Sequence, residues 1–402
     1  MRLRWRKRRH GHSRRGNPSA SPKYSRRGFD VNTLGIGLIG TGYMGKCHAL
    51  AWNSVAATFG TDIRPRLVHL GEVNETLAKQ RATEFGFEKS SGDWRAVIDD
   101  PDVQIVSITS PNQFHKDMVI AALDAGKHVW CEKPMSTGLQ DAEAMLMAAE
   151  RTDRLCVLGY NYIQSPAFRQ IETLVKNGRI GRVTNIRVEM DEDFMAAPDM
   201  LHSLKHRAES GHGALDDFAV HPLSLLQRLC GLPVEVMADA ARPYETLKDA
   251  HGVDKKVETF DIASALMRFP DGLTGTLIVN RSAWGRKGRI ALQILGTEGS
   301  ILFDQERANE FQLYLRSDEL EIQGFRTVLI APIHTPYNHF VPAPGHGLGF
   351  NELKVIEANE ILKALSGKPA RLVDFSDGIQ IERVVHAMAQ SHASGKWTST
   401  LG

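Results

Sequence analysis

Between Leu34 and Leu158, short apolar runs alternate with stretches of helical periodicity. The runs at 34–39, 66–72, 103–108, 128–130 and 155–158 predict strands, and a stretch ending near Phe59 and those at 113–125 and 139–150 predict helices. Strands that alternate with helices of this length form a parallel sheet through right-handed crossovers. We therefore predict a doubly wound α/β domain over residues 31–158.

A different pattern begins at residue 159. Helices are predicted at 167–176, 350–365 and 377–391, and strands at 183–190, 257–267, 273–279, 289–295 and 310–315. Turn sequences at 270–272 (PDG) and 296–299 (GTEG) separate successive strands. Hairpins that follow one another predict an open, mainly antiparallel sheet with helices on one face. We therefore predict an α+β domain over residues 159–402 that binds substrate and uses the other face of its sheet for oligomerisation.

The length and composition are typical of a two-domain globular protein. The chain has 402 residues, of which 42% are hydrophobic and 24% are charged. No run approaches the roughly 18 apolar residues of a membrane span, so a membrane protein and a disordered scaffold are excluded. Four cysteines lie far apart without metal-ligand spacing: Cys47, Cys131, Cys156 and Cys230. We therefore expect no metal, no disulfide framework and a reducing, cytoplasmic location.

The first 30 residues differ from the rest in charge. They contain eleven Lys/Arg and one acid, which leaves 38 of the 49 Lys/Arg and 46 of the 47 Asp/Glu residues for the remainder. Because they lack apolar periodicity, we predict a disordered basic tail over residues 1–30.

Three interpretations of this tail are open: a nucleic-acid-binding arm, a twin-arginine export signal at 25–29 (SRRGF), and an upstream start codon that extends a protein beginning near Val31. Neither an apolar region nor a cleavage site follows the two arginines, which argues against export. We favour the start-codon interpretation and expect neither a nucleic-acid nor a membrane partner.

The first predicted strand leads into a glycine motif, Gly40-Thr41-Gly42-Tyr43-Met44-Gly45. Its glycines suit a tight turn, a close approach of the backbone to a pyrophosphate, and close packing of helix on strand. Phosphates bound there would lie at a helix N-terminus, where free N–H groups and the dipole favour anions. We therefore predict a Rossmann dinucleotide-binding domain with these six residues in the cofactor site.

The second predicted strand ends in an acid, Glu72, 27 residues after Gly45. A carboxylate at this position accepts hydrogen bonds from the ribose hydroxyls of adenosine and repels a 2′-phosphate, and no arginine follows at Val73 or Asn74. NAD is therefore the expected cofactor.

Two further strand ends, at 109–112 (TSPN) and 131–134 (CEKP), lie at the carboxyl edge of the predicted sheet. Ligands of doubly wound sheets bind at this edge. The residues expected beside the cofactor are Ser110, Pro111, Asn112, Glu132, Lys133 and Pro134.

Candidate acid–base chemistry lies in the predicted helix at 214–229 (ALDDFAVHPLSLLQRL). Asp217 and His221 are four residues apart and are expected on one face, and Pro222 predicts either a kink or the true start of the helix. A hydroxyl that loses a hydride must also lose its proton, which a neutral imidazole accepts. Lys133 is expected to donate a hydrogen bond to the developing oxyanion, and Asp217 to orient and charge the pair.

These motifs resemble the Gfo/Idh/MocA oxidoreductases, a family of inositol and sugar dehydrogenases. The matching segments are GIGLIGTGYMGKCHA (35–49), TSPNQFH (109–115), AGKHVWCEKPM (125–135) and SGHGALDDFAVHP (210–222). Within the family, FDQER (303–307) and PGHGLGFNE (344–352) are most similar to the branch of scyllo-inositol/L-glucose dehydrogenases and levoglucosan dehydrogenases. The resemblance implies an NAD-dependent dehydrogenase that oxidises a secondary hydroxyl of a cyclic polyol or sugar to a ketone, as a homodimer or homotetramer.

The resemblance also implies roles for individual residues. It implies Lys133, Asp217 and His221 as the catalytic residues, which also bind substrate, and adds His115 to the cofactor-binding residues. Asn161 and Tyr162 match positions that contact substrate, and we expect Asp191, Asp193 and His346 to bind substrate hydroxyls.

One segment departs from this branch of the family. The chain has Ser203-Leu204-Lys205 where relatives often carry Trp-Arg, and a missing guanidinium removes a fixed hydrogen-bond fork from a polyol pocket. The identity of the sugar therefore stays open. Two alternatives to the dehydrogenase are a non-catalytic dinucleotide-binding regulator and an exported, NADP-retaining oxidoreductase.

Overall fold

The first sheet is formed mainly by the N-terminal part of the chain. In the computed structural model, which describes residues 33–401, this part contains β1 (Thr33–Ile39), α1 (Tyr43–Phe59), β2 (Arg64–Gly71), α2 (Glu75–Phe85), β3 (Lys89–Ser91), α3 (Trp94–Asp99), β4 (Ile105–Ile108), α4 (His115–Asp124), β5 (His128–Cys131), α5 (Leu139–Glu150) and β6 (Cys156–Leu158). These strands pair in parallel in the order β6–β5–β4–β1–β2–β3. The prediction of a Rossmann domain is confirmed.

The elements of this sheet that the sequence predicted are those rich in apolar residues. Every residue of β1 after Thr33 is buried or nearly so, as in a strand covered by helices on both faces. In contrast, β3 is a polar tripeptide and α3 spans only six residues. The sequence pattern did not predict α2, β3 or α3, because elements at the rim of a sheet bury few side chains.

The remainder of the chain forms a second, larger sheet, a separate two-stranded sheet of β9 and β10, and segments that join the first sheet. The elements are α6 (Pro166–Lys176), β7 (Val183–Glu192), α7 (Val220–Leu229), β8 (Glu235–Ala241), β9 (Thr246–Lys248), β10 (Asp254–Lys256), β11 (Ile262–Arg268), β12 (Thr274–Asn280), β13 (Lys287–Gly296), β14 (Gly299–Asp304), β15 (Glu310–Leu315), β16 (Arg326–Leu329), α8 (Phe350–Leu365), β17 (Val373–Asp374), α9 (Phe375–Ser394) and β18 (Thr398–Ser399). Nine strands pair in the order β16–β15–β14–β13–β7–β12–β11–β8–β18. The pair β7–β12 is parallel and the other pairs are antiparallel, so the predicted mainly antiparallel sheet is confirmed.

The two faces of this sheet have different surroundings. Ala265 and Leu277 point inward to the core shared with α9, whereas the neighbouring Leu266 and Ile278 point outward and are exposed. The strand predicted at 257–267 begins only at Ile262, because the preceding segment is an irregular loop that leads toward the cleft described below. The sequence did not predict β8, β14, β16 or β18.

The chain returns to the first sheet near its C-terminus. Strand β17 pairs with β6 in the antiparallel direction, and helix α8 packs on α1. Val355 and Ile361 of α8 share one apolar cluster with Ile36 of β1 and Trp52 of α1. Residues 350–374, placed in the second domain by their position in the chain, therefore complete the core of the first sheet. Periodicity predicts a helix but does not indicate which sheet that helix covers.

Within residues 33–401, no helix is both long and apolar enough to cross a membrane. The same part of the chain contains no group of His, Cys, Asp and Glu side chains arranged to hold a metal ion. The predicted basic tail at 1–30 lies outside the described residues.

Candidate active site

The glycine motif forms a tight turn between β1 and α1. Gly40 has a φ of 91°, and a Cβ on it would lie 2.8 Å from the main-chain oxygen of Thr109. A Cβ on Gly45 would lie 2.3 Å from the main-chain oxygen of Gly40, so the helix packs closely on the strand. No described atom lies within 4 Å of the Cβ position of Gly42, and no described side chain caps α1. The open backbone and free N–H groups suit the phosphates of a dinucleotide.

Glu72 lies beside this turn at the end of β2. Its Oε2 accepts hydrogen bonds from Thr41 Oγ1 at 2.5 Å and Thr41 N–H at 3.2 Å, and its Oε1 accepts one from Val73 N–H at 2.9 Å. These contacts hold the carboxylate at the rim of the cleft, where the sequence predicts the adenosine ribose. A 2′-phosphate placed there would meet a fixed negative charge.

The glycine motif and Glu72 line one end of a cleft of about 750 Å³. The same wall contains the predicted residues Ser110, Pro111 and Asn112. The far end is lined by residues that follow the first domain, among them Lys205, Asp217 and Arg281. The cleft therefore joins the two sheets, as a site for a dinucleotide and a second reactant requires.

His115 and Glu132, both predicted beside the cofactor, are buried behind this wall. The ring nitrogens of His115 lie 3.0 Å from the main-chain oxygens of Ser110 and Pro134, and burial lowers the pKa of this histidine. Glu132 accepts a hydrogen bond from the main-chain N–H of Lys133 at 3.3 Å. Neither His115 nor Glu132 lines the cleft. His115 instead holds the main chain of Ser110, which does line it, and Glu132 holds the main chain of Lys133.

Lys133 reaches from the end of β5 to the segment that precedes α7. Its Nζ donates a hydrogen bond to the main-chain oxygen of Asp217 at 3.1 Å. Burial lowers the pKa of Lys133, while Asp217 and Glu132 oppose that effect. The structure therefore brings Lys133 and Asp217 together, as predicted, through the main chain of Asp217.

His221 lies in the first turn of α7 and is nearly inaccessible to solvent. Its ring packs edge-on against Tyr162, with the ring centroids 4.9 Å apart. Within residues 33–401, its enclosed Nδ1 has no hydrogen-bond partner. Burial and then Lys133 hold the pKa of His221 well below its usual value. The imidazole is therefore neutral at pH 7, the form that accepts a proton.

The helix that carries Asp217 and His221 has a widened first turn. Leu215–Ala219 forms a turn of π-helix, and the α-helix begins at Val220, two residues before Pro222. Proline lacks an N–H and cannot complete an α-helical hydrogen bond to the residue four positions earlier, so the chain widens just before it. Asp217 still acts on His221, whose pKa it raises, while its carboxylate makes its close contacts elsewhere.

The Asp217 carboxylate instead binds two cations that the sequence did not indicate. Its Oδ2 lies 2.6 Å from Lys205 Nζ and 3.3 Å from Arg281 Nη1. Burial would raise the pKa of this carboxyl, but Lys205, Lys133 and Arg281 outweigh it and hold that pKa below its usual range. Asp217 is therefore an anion between three cations.

Arg281 follows β12 directly and is almost fully buried. Its guanidinium also binds Asp261 Oδ1 through Nη2 at 2.7 Å and Thr259 Oγ1 at 3.3 Å. A fixed guanidinium is thus present, although the 203–205 segment lacks one. The sequence signal for Arg281 is its place just after the strand predicted at 273–279. Strand ends predicted site residues only in the first sheet.

The predicted substrate residues divide into two groups. Asn161 is buried with no partner for Nδ2 in the described chain, and Tyr162 contacts His221. In contrast, Asp193 Oδ2 lies 2.6 Å from Lys287 Nζ, and His346 is exposed with Nδ1 3.1 Å from Pro344 O. Asp191 binds Arg289 at 2.9 Å, and none of these five residues lines the cleft itself.

An aromatic series that the sequence did not indicate connects the two ends of the site. The ring of Tyr43 in the glycine motif stacks on Phe350 with centroids 5.5 Å apart, and Phe350 meets Tyr162 edge-on at 6.0 Å. Since Tyr162 contacts His221, the rings run from the cofactor turn to the candidate base. Phe350 begins α8, far away in sequence from both tyrosines.

Comparison with known proteins agrees with this geometry. Residues 34–160 match the profile described as "Oxidoreductase family, NAD-binding Rossmann fold", and residues 168–302 match the "GFO/IDH/MocA C-terminal domain". The chain is 34% identical to levoglucosan dehydrogenase of Pseudarthrobacter phenanthrenivorans over 91% of this chain and 98% of that protein. It is 29% identical to myo-inositol 2-dehydrogenase of Thermotoga maritima over 72% of this chain and 80% of that protein. A solved structure, levoglucosan dehydrogenase in complex with NADH and levoglucosan, superimposes with a TM-score of 0.89 at 34% identity and covers 92% of this chain and all of that one.

The cleft between a Rossmann sheet and a second, mainly antiparallel sheet defines an NAD-binding oxidoreductase. The chain belongs to the Gfo/Idh/MocA family of oxidoreductases.

Proposed function

We propose that the protein is an NAD-dependent dehydrogenase that oxidises a secondary hydroxyl of a cyclic polyol or sugar to a ketone. Inositols, L-glucose-like sugars and anhydrosugars are the substrate classes to which its relatives point. The observation that carries the proposal is the hydrogen bond from Lys133 Nζ to the main-chain oxygen of Asp217. Asp217 lines the far end of the cleft from Glu72 and precedes the neutral His221 by one helical turn.

NAD, when bound, accepts the hydride that leaves the substrate carbon. The glycine motif would hold its pyrophosphate, and Glu72 its ribose hydroxyls. Both features are preformed, because the Gly42 backbone is open and the Glu72 carboxylate is already fixed by Thr41. The chain's residues therefore fit this cofactor.

The proton of the substrate hydroxyl passes to His221. Its Nδ1 is enclosed, so Nε2 is the nitrogen left to accept the proton. The Lys133 ammonium donates a hydrogen bond to the same substrate oxygen and stabilises the negative charge that develops on it. Asp217, Lys205 and Arg281 hold the main-chain oxygen to which Lys133 is anchored.

The ring series of Tyr43, Phe350 and Tyr162 suits the apolar face of a sugar ring. Asn161, with an unpartnered amide in the described chain, is the nearest candidate for a fixed hydroxyl contact. We assign the 203–205 segment, and Lys205 in particular, to substrate selection, because it lines the cleft where the family branch differs.

We further propose a cytoplasmic homodimer or homotetramer. The four cysteines are free, as expected in a reducing compartment. Exposed leucine and isoleucine side chains on the outer face of the second sheet support its use as the contact between copies.

A dehydrogenase screen tests the proposal. Purified protein would be assayed with inositols, glucose isomers and anhydrosugars, each with NAD and with NADP, by following reduced nicotinamide. We expect NAD reduction with at least one cyclic polyol. Tight NADH binding without turnover of any member would favour a dinucleotide-binding regulator instead.

A further inference from the structure

A fully buried lysine of α8 reaches the strand end that carries Lys133. The Nζ of Lys354 lies 2.5 Å from Glu132 Oε1, 2.9 Å from Glu357 Oε2 and 3.3 Å from the main-chain oxygen of Gly159. Its side chain is 0% exposed. All three partners are hydrogen-bond acceptors. The ammonium is therefore fully hydrogen-bonded as well as enclosed by the protein.

Both carboxylate oxygens of Glu132 form hydrogen bonds beside Lys354. Oε1 binds Lys354 and also His48 Nε2 at 2.8 Å, and Oε2 accepts the main-chain N–H of Lys133 at 3.3 Å. The His48 ring stacks on Trp130 with centroids 3.7 Å apart, which fixes the imidazole. The Glu132 side chain therefore connects Lys354 directly to the backbone of the candidate catalytic lysine.

Stability alone does not account for this arrangement. Buried ion pairs lose their hydration, and apolar residues of similar volume often replace them without loss of stability. The fold nevertheless leaves space for this pair: a Cβ on Gly159 would lie 2.3 Å from Glu132 Oε1 and 2.8 Å from Lys354 Nζ. A charged group retained at such a position calls for a role in the adjoining site.

We propose that Lys354 is a positioning residue for the dehydrogenation: through Glu132 it fixes the main chain of Lys133, the candidate partner of the substrate oxygen. This inference rests on the proposed function. It assigns a catalytic consequence to α8, which contacts the cofactor half of the molecule from the far end of the chain.

The charges around this group are consistent with that role. Burial would lower the pKa of Lys354, but Glu132 and Glu357 outweigh it, so the ammonium persists. Burial would raise the pKa of Glu132, but Lys354 and His48 outweigh it, so the carboxylate persists. Burial raises the pKa of Glu357 to about 7.

His221 experiences the sum of these charges. After burial, Lys133 and Lys354 lower its pKa, whereas Glu132 and Asp217 raise it. Loss of the Lys354 charge should therefore raise the pKa of His221, since an imidazolium would then have one cation fewer nearby.

The test compares Lys354→Gln, which keeps a hydrogen-bond donor for Glu132 but removes the charge, with Lys354→Met, which removes both. We expect kcat to fall by at least ~10-fold in K354Q and further in K354M, with NADH affinity unchanged. We also expect the acid limb of the kcat/KM profile to move to higher pH in both. The pKa of His221, followed by NMR of labelled histidine in the NADH complex and assigned with H221Q, should rise in K354Q.

Lys363→Met, on the same helix with its Nζ 3.1 Å from Glu360 Oε1, is the control and should leave rate and pH profile unchanged. Lys354→Arg should restore the parental pH profile. Parental kcat and parental His221 titration in K354Q would overturn the inference, and so would failure of K354Q to fold, which would make Lys354 purely structural. Absence of turnover in the parent would overturn the proposed function, while the NMR titration would still decide the inference.

Discussion

At the adenosine end of the cleft, the Glu72 carboxylate is held by the hydroxyl and main chain of Thr41. A fixed charge repels a 2′-phosphate more effectively than a mobile one, because it cannot turn away. We therefore expect kcat/KM to favour NAD over NADP by at least ~10-fold, equivalent to about 1.4 kcal/mol.

Glu72→Gln should narrow this ratio, chiefly by improving NADP. Steady-state kinetics with both cofactors would measure the ratio, with Glu75→Gln, an exposed acid at the start of α2, as control. Equal use of the two cofactors by the parent would rule out the role given to Glu72.

At the reacting end, Lys133 and His221 act on the same substrate oxygen. We expect His221→Ala and Lys133→Ala each to lower kcat by roughly 10²-fold or more, because one removes the proton acceptor and the other the oxyanion partner. The two losses should be less than additive in the double variant. Single-turnover hydride transfer would measure the chemical step.

NADH affinity, measured by fluorescence titration, should stay near the parental value in both variants, since neither side chain lines the cofactor end of the cleft. A parental transfer rate in H221A together with a slow K133A would transfer the role of base to Asp217 or Tyr162.

Helix α9 contains a buried acid, Glu382, that forms no salt bridge within residues 33–401. Glu382 Oε1 accepts the main-chain N–H of Met135 at 2.7 Å, and burial, with Asp216 second, raises the pKa of Glu382 to about 8. The folded protein therefore holds a proton that the unfolded chain releases from about pH 4.5 upward. The contribution of protonated Glu382 to the free energy of unfolding is complete below about pH 4.5. It is lost as the pH rises through about 8.

We expect Glu382→Gln to remove this loss, because the amide cannot ionise. Its thermal midpoint should equal that of the parent near pH 5 and exceed it near pH 8.5, as measured by calorimetry. Glu150→Gln, exposed at the end of α5, is the control. An identical pH dependence in parent and E382Q would show that Glu382 ionises normally.

The elements that the sequence predicted are those with a pattern of their own. The apolar run of β1 and the long helix α1 needed no tertiary information, whereas β17, only two residues long, exists because β6 offers it an edge. The π-turn before α7 was also beyond periodicity, since Pro222 indicated only a kink or a helix start.

The residues of the candidate site also divide into those that the sequence predicted and those that it did not. Gly40, Glu72 and Lys133 were predicted because each follows a strand of the first sheet. Arg281 and Lys205 were not, because their function arises from contact with Asp217 across long sequence separations.

At the scale of the whole molecule, the outer face of the second sheet is the proposed contact between copies. Leu266 and Ile278 lie on adjacent strands β11 and β12 and are 52% and 39% exposed. We expect Leu266→Asp to reduce the oligomer to a smaller species, because a carboxylate would lose its hydration at an apolar contact.

Sedimentation velocity at several concentrations would measure the oligomeric state. Leu320→Asp, 83% exposed beyond β15, serves as the control and should retain the parental assembly. A monomeric parent, or an L266D variant that assembles normally, would contradict the proposed contact.

The return of α8 and β17 to the first sheet has a consequence for synthesis and evolution. A ribosome releases residues 33–158 long before it makes the helix and strand that finish their core, so the nucleotide-binding half stays incomplete until residues 350–374 have been translated. A recombination event that moved this half alone into another gene would leave the last strand and the covering helix behind. We therefore expect the two halves of this enzyme to be inherited together, as one unit.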